Sequence, residues 1–189
     1  GEEELRRAAQ AVLALELFLQ TVFESNYALP EDLTVFLLAD PSQRAPFVAN
    51  HPAIPAAQRG QYELLEGGGI QGTNDFAFWT GDTQRRTDGT VRLVLGLWLS
   101  GAFEIGVRQG WAYEGFGLFL TRSLVRSRLT WLAQASTVAS GAADMALRQK
   151  LLEPETNWPD EALRMLLEKR TPPLAELFMK DASALTTED

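Results

Sequence analysis

Two apolar runs in tandem decide how this chain is read. The first is Val91-Arg-Leu-Val-Leu-Gly96-Leu-Trp98-Leu-Ser100-Gly-Ala-Phe103. The second, after a break at Arg108-Gln-Gly110, is Trp111-Ala-Tyr-Glu114-Gly115-Phe-Gly117-Leu-Phe119. In the first, Leu93, Leu97 and Ser100 recur at helical spacing, so the run reads as a buried helix. The second opens a helix running to about Gln134. Two apolar helices joined by a short break are expected to pack as an antiparallel pair.

Upstream, residues 3–25 read as one amphipathic helix whose apolar stripe is Leu5, Ala8, Val12, Leu15, Leu19 and Val22. Pro30 ends it, and Leu33-Thr-Val-Phe-Leu-Leu38 reads as a buried strand, being β-branched and aromatic. Asp40-Pro41 matches an N-cap followed by proline at the first helical position, which predicts a short helix over 41–49. Residues 50–60 read as a loop, with Gln61–Leu65 and Asp75–Thr80 as two strands. Gly67-Gly-Gly69 between them reads as a hairpin turn. It is not a phosphate loop, because no GK[ST] leads into a helix there. Downstream, 138–181 reads as helical with breaks at Pro154, Pro159 and Pro172-Pro173.

Composition narrows the function classes. At 189 residues with 46% apolar side chains, the chain fits one domain with a real core. A net charge of −8 disfavours nonspecific binding to nucleic acid or acidic lipid. The basic residues Arg122, Arg126 and Arg128 read as a solvated helix face. The absence of cysteine removes disulfides and thiol catalysis. No apolar run reaches the ~18 residues of a membrane span. No charged and then apolar leader opens the chain. Gly1-Glu-Glu-Glu4 reads as a scar ahead of a domain start, and Thr186-Thr-Glu-Asp189 as an end without a stop signal, so an excerpt of a longer protein is expected.

The Trp-x-x-Glu-Gly helix at Trp111–Gly115, with Gly117 and Phe119 behind it, resembles the peptidase MA-like (gluzincin) superfamily of zinc metallopeptidases. Leu33–Asp40 is similar to that family's first strand. Arg59-Gly60-Gln-Tyr62 is similar to its loop-to-strand turn, and Thr171–Leu177 to a downstream helix start. The likeness spans roughly residues 30 to 130. It implies an α+β, zincin-like fold: a small mixed sheet on a helical core, two central antiparallel helices and a helical C-terminal part. One domain over 1–189 is implied, with a family-like core at 30–135 and a helical extension at 138–189.

In that family Glu114 would be the third zinc ligand, and the helix before it would carry HExxH, two imidazoles four residues apart with a glutamate between them. The matching register places Gly96 and Ser100 at the histidine positions and Leu97 at the glutamate position. No register restores the site, since the one histidine is His51 and residues 52–189 contain none. A zinc site needs several such ligands around one ion. The resemblance therefore implies a pseudoenzyme without zinc or other cofactor, a binding or scaffolding module in a larger bacterial protein, and it is compatible with a secreted or cell-envelope setting. The remnant cleft would be lined by Glu114, Trp111, Tyr113, Glu104, Gly96, Ser100 and Trp79. Its partner would be an extended peptide, or another segment of the parent chain, added to an edge strand at Asp75–Thr80.

Two other readings stand beside it. Glu114, desolvated among Trp111, Tyr113 and Phe116, would serve a non-zinc hydrolase as general acid or base. A purely structural domain is the third. Glu104 and Glu114 as a carboxylate metal pair, and His51 in Asn50-His51-Pro52 as a lone base, are each outweighed by solvated or salt-bridged carboxylates and a surface loop histidine. Trp98 and Trp131 read as core.

Overall fold

The computed structural model describes residues 1–62, 67–129, 142–181 and 184–185. Among these are helices α1 (Glu2–Phe23), α2 (Arg44–Asn50), α3 (Arg59–Tyr62), α4 (Thr83–Phe103), α5 (Gly110–Val125), α6 (Ala142–Leu152), α7 (Trp158–Leu167) and α8 (Leu174–Met179). The strands are β1 (Thr34–Leu37), β2 (Gly67–Gly69) and β3 (Asp75–Phe78). The fold is α+β with a small mixed sheet. The chain divides into two compact units, Gly1–Val94 and Leu95–Asp189, and the dividing point lies within α4. No helix among the described residues is long and apolar enough to cross a membrane.

In the first unit the strand order is β1-β3-β2. β3 pairs parallel with β1, Thr34 opposite Asp75, and antiparallel with β2, Gly67 opposite Phe78. The expected edge strand at Asp75–Thr80 is thus the middle strand. Its backbone is paired on both sides and has no ladder left for a peptide.

Gly67–Gly69 is a strand and not a turn. The rings of Phe76 and Phe78 lie across it, so that a Cβ at Gly67 would fall 2.6 Å from Phe78 Cδ1 and 2.7 Å from the Ala77 carbonyl oxygen. Glycine is required there for close approach, and the aromatic partner supplies the packing that glycine lacks. Phe78 also meets α4, where a Cβ at Gly89 would fall 2.6 Å from its Cε1. The ring is wedged between two glycines. On the segment expected to be the other strand, Gln61 and Tyr62 are the end of α3, and so the Arg59–Tyr62 turn is helical; residues 63–66 lie outside the described ones.

Val48, Ile54, Tyr62, Ile70, Ala77 and Trp79 form a buried cluster, with Phe36 and Phe47 against it. Asp40 accepts from the Ser42 N–H at 2.8 Å and starts a 3₁₀ turn that runs into α2, as its Asp-Pro pair predicts. α1 buries Glu4, Ala8, Ala11, Leu15 and Leu19. Its buried stripe is rotated from the expected one, and Leu5 and Val22 stand more than half exposed. The cause is polar: Glu4 is drawn inward to Arg86, whose Nε lies 2.5 Å from its Oε1. Arg86 also donates to the Thr80 carbonyl and, at 3.0 Å, to Thr83 Oγ1. Gly1–Glu4 is therefore built into the unit as the first turn of α1.

In the second unit, α5 ends at Val125, short of the expected Gln134, where Arg126 turns left-handed at φ 56°. Residues 130–141, Trp131 among them, lie outside the described ones. Trp98 is fully buried, as expected of a core residue. α6 to α8 follow the proline punctuation, with Pro159 sitting at the start of α7 instead of breaking it.

Candidate functional site

α4 and α5 meet where the resemblance places a metal. A Cβ built on Gly96 would lie 2.5 Å from the Tyr113 hydroxyl oxygen and 3.1 Å from Cζ. The ring of Tyr113 thus rests on the bare Cα of Gly96, at the position of the first expected histidine. Any side chain at 96 competes with that ring. Ser100, at the second position, is exposed and turns its hydroxyl back to the Gly96 carbonyl at 2.7 Å, the usual i−4 bond of a helical serine.

Glu114 follows Tyr113 on α5 and is buried at 2% exposure. It is the fifth residue of its helix, and the first turn of α5 carries no acid. The helix dipole acts within the first turn and falls off before this position. Glu104 is exposed just past the end of α4, in left-handed backbone at φ 57°. Trp111, 42% exposed, stacks on Phe178 of α8 with ring centroids 4.9 Å apart, and the Gly110 N–H donates to the Lys180 carbonyl at 3.2 Å. Trp79 belongs to the buried cluster of the first unit, not to a groove. Of the seven candidate residues, the structure brings Gly96 and Tyr113 into direct contact. Ser100 lies further along α4, and Glu104 just beyond its end.

Two pairs escaped the sequence reading. His51 is not a surface loop residue, for its side chain is 7% exposed. Its Nε2 lies 3.2 Å from Asp75 Oδ2 on β3, and its Nδ1 accepts from the Ala53 N–H at 3.3 Å. The ring packs on Phe36 and Phe47. Both nitrogens are occupied, so no lone pair remains for a general base; the imidazole ties the loop after α2 to the middle strand. Its signal was absent from the local sequence because Asp75 lies 24 residues on.

The second pair is Asp88 and Arg92, both buried, one helical turn apart on α4. That is the spacing of two HExxH histidines. A guanidinium is always protonated and has no lone pair to give a metal. The signal here was legible only in part, as Arg92 inside the apolar run, since Asp88 lies among polar residues ahead of it. No group of three His, Cys, Asp or Glu side chains able to hold a metal occurs among the described residues.

Comparison with known proteins gives no match, whether to a family model, to a curated protein or to a solved structure.

Proposed function

We propose that this chain is a catalytically inactive, metallopeptidase-like domain that serves as a binding or scaffolding module within a larger protein. The contact of Tyr113 with Gly96 carries the reading. Where α4 would present an imidazole it has the bare Gly96, covered by the Tyr113 ring of α5, and the buried charges Asp88 and Arg92 at the same spacing include a guanidinium that binds no metal. A metallopeptidase needs a metal to lower the pKa of its attacking water, and these residues fill the ligand positions with packing. Retention of buried Glu114 beside Trp111 and Gly115 supports descent from such a site.

Elemental analysis of purified, tag-free protein and assay on fluorogenic peptides test this reading. No stoichiometric zinc and no cleavage are expected. One tightly held zinc per chain, with chelator-sensitive cleavage that Glu114→Gln abolishes, would overturn it.

A second reading, a structural domain that packs against its parent chain, is favoured by the central position of β3 and by exposed apolar side chains. Leu13 and Leu17 project from α1, and Leu163, Leu167, Leu174 and Met179 from α7 and α8. The first reading requires that Trp111→Ala and Phe178→Ala weaken capture of a partner. The second requires that they only make the isolated chain more soluble.

A further inference from the structure

The turn between α6 and α7 gathers Arg122 of the last turn of α5 and Arg128 just beyond it. Arg128 donates from Nε to the Leu152 carbonyl at 3.2 Å and from Nη2 to the Thr156 carbonyl at 2.7 Å. Arg122 lies over the ring of Trp158, its Cζ 4.3 Å from the centroid. Trp158 is itself fixed by its indole N–H to the Leu151 carbonyl at 2.9 Å. Both guanidiniums are therefore positioned by the same short stretch, Leu151–Trp158. Burial first, and the charge of Arg128 second, hold the Arg122 guanidinium below its ordinary pKa.

Two like charges held against one short stretch repel unless a counter-charge joins them. Among the described residues neither arginine has a carboxylate at ion-pair distance. Glu153 and Glu155 occupy the same turn but are exposed and pair with neither. Elsewhere in this unit Arg164 and Lys150 both contact Glu161, and Arg164 also contacts Glu168. Arg122 and Arg128 are instead held by a ring and by carbonyls.

Ring stacking and carbonyl anchoring fix the two groups in place while leaving donors on each, since a guanidinium carries five N–H groups. A carboxylate offsets one positive charge. A phosphate monoester approaches two and has enough oxygens to accept from both forks.

We propose that Arg122 and Arg128, above the α6–α7 turn, form a binding site for the phosphoryl group of a small molecule. The site is distinct from the Gly96–Glu114 region and does not depend on the metallopeptidase reading.

Calorimetric titration of the whole chain with inorganic phosphate, against chloride at matched ionic strength, tests it. Saturable binding of one phosphate per chain is expected, weakened at least about tenfold in Arg122→Gln and unchanged in Arg126→Gln, an exposed neighbour. Glycerol phosphate that binds tighter than inorganic phosphate identifies an organic phosphate as the ligand, whereas equal binding identifies the free ion. Should Arg122→Gln fail to fold, Arg122→Lys keeps the charge and loses the fork, and it must still weaken phosphate. Absence of saturable binding, equal binding of acetate, or an affinity indifferent to both Arg122 variants would overturn the proposal.

Discussion

The two units solve the same packing problem on one helix in different ways. In the first, Gly89 of α4 receives the ring of Phe78, which Gly67 holds from the other side. In the second, seven residues along, Gly96 receives Tyr113 by the far end of its side chain, the hydroxyl. A ring wedged between two backbones cannot yield, while a hydroxyl at the tip of a side chain can. The ion pairs differ in the same sense. Glu4 and Arg86 are both buried, whereas Arg164 and Lys150 reach Glu161 from side chains 40% and 45% exposed. The first unit is closed around buried, directional contacts. In the second, a buried Glu161 draws its partners from half-exposed side chains, and apolar side chains stand exposed on α7 and α8. The comparison teaches that glycine on a buried helix marks a ring, and that the tolerance of the site depends on which part of the ring arrives.

Removing a buried charge partner is expected to have the largest effect. Glu4→Gln leaves Arg86 buried without its carboxylate and should cost about 3 kcal/mol in urea unfolding. The Arg86 hydrogen bond holds the Glu4 carboxyl below its ordinary pKa. Its contribution is thus present above the unfolded carboxylate range and lost as pH falls. An unchanged unfolding midpoint would mean that α1 is held by its apolar stripe alone.

Gly89→Ala comes next. Alanine favours the helix by up to ~1 kcal/mol, but its Cβ meets a ring that cannot retreat, and overpacking costs ~1–3 kcal/mol. A net loss of about 1–2 kcal/mol is expected. A stabilised variant would show that Phe78 has room to move.

Gly96→Ala should do less, because its Cβ meets chiefly the tip of Tyr113, which a small shift of the whole side chain withdraws, while the helix gains propensity. Stability within about 0.5 kcal/mol of the parent is expected. The double variant with Tyr113→Phe, which removes the oxygen, should be the more stable of the two. A loss at Gly96 as large as that at Gly89 would erase the distinction between the two sites.

The smallest effect belongs to the Glu161 network. Hydrogen bonds from Arg164 and Lys150 pull the Glu161 carboxyl down from an ordinary 4.5 to about 2. A depressed carboxyl stabilises the fold above its unfolded pKa and loses that contribution as pH falls through the folded one. The window is therefore between about pH 4.5 and 2. Glu161→Gln should lower the melting temperature slightly at neutral pH and flatten its acid flank in that window, the two proteins converging at the acid end. An identical acid flank in both proteins would show that solvent screens the network fully.

Much of this was legible before the fold. Apolar spacing marks α1, α4 and the start of α5, because a helix repeats its buried face every 3.6 residues. Asp40-Pro41 gives the entry to α2, and the Val-Phe-Leu run gives β1. What stayed hidden depended on partners distant in the chain. Gly67–Gly69 has no side chains and so no pattern; Phe76 and Phe78 across the ladder make it a strand. His51 sits among prolines and reads as surface until Asp75 comes beside it. At the candidate site, the sequence alone determined that no pair of histidines exists to bind zinc beside Glu114, since composition needs no geometry. Only the tertiary structure decided what occupies that place, Tyr113 on Gly96, and that the third strand in the chain lies in the middle of the sheet. Strand order and ring contacts arise from which surfaces complement one another after the chain has turned back on itself, and residue spacing does not record that.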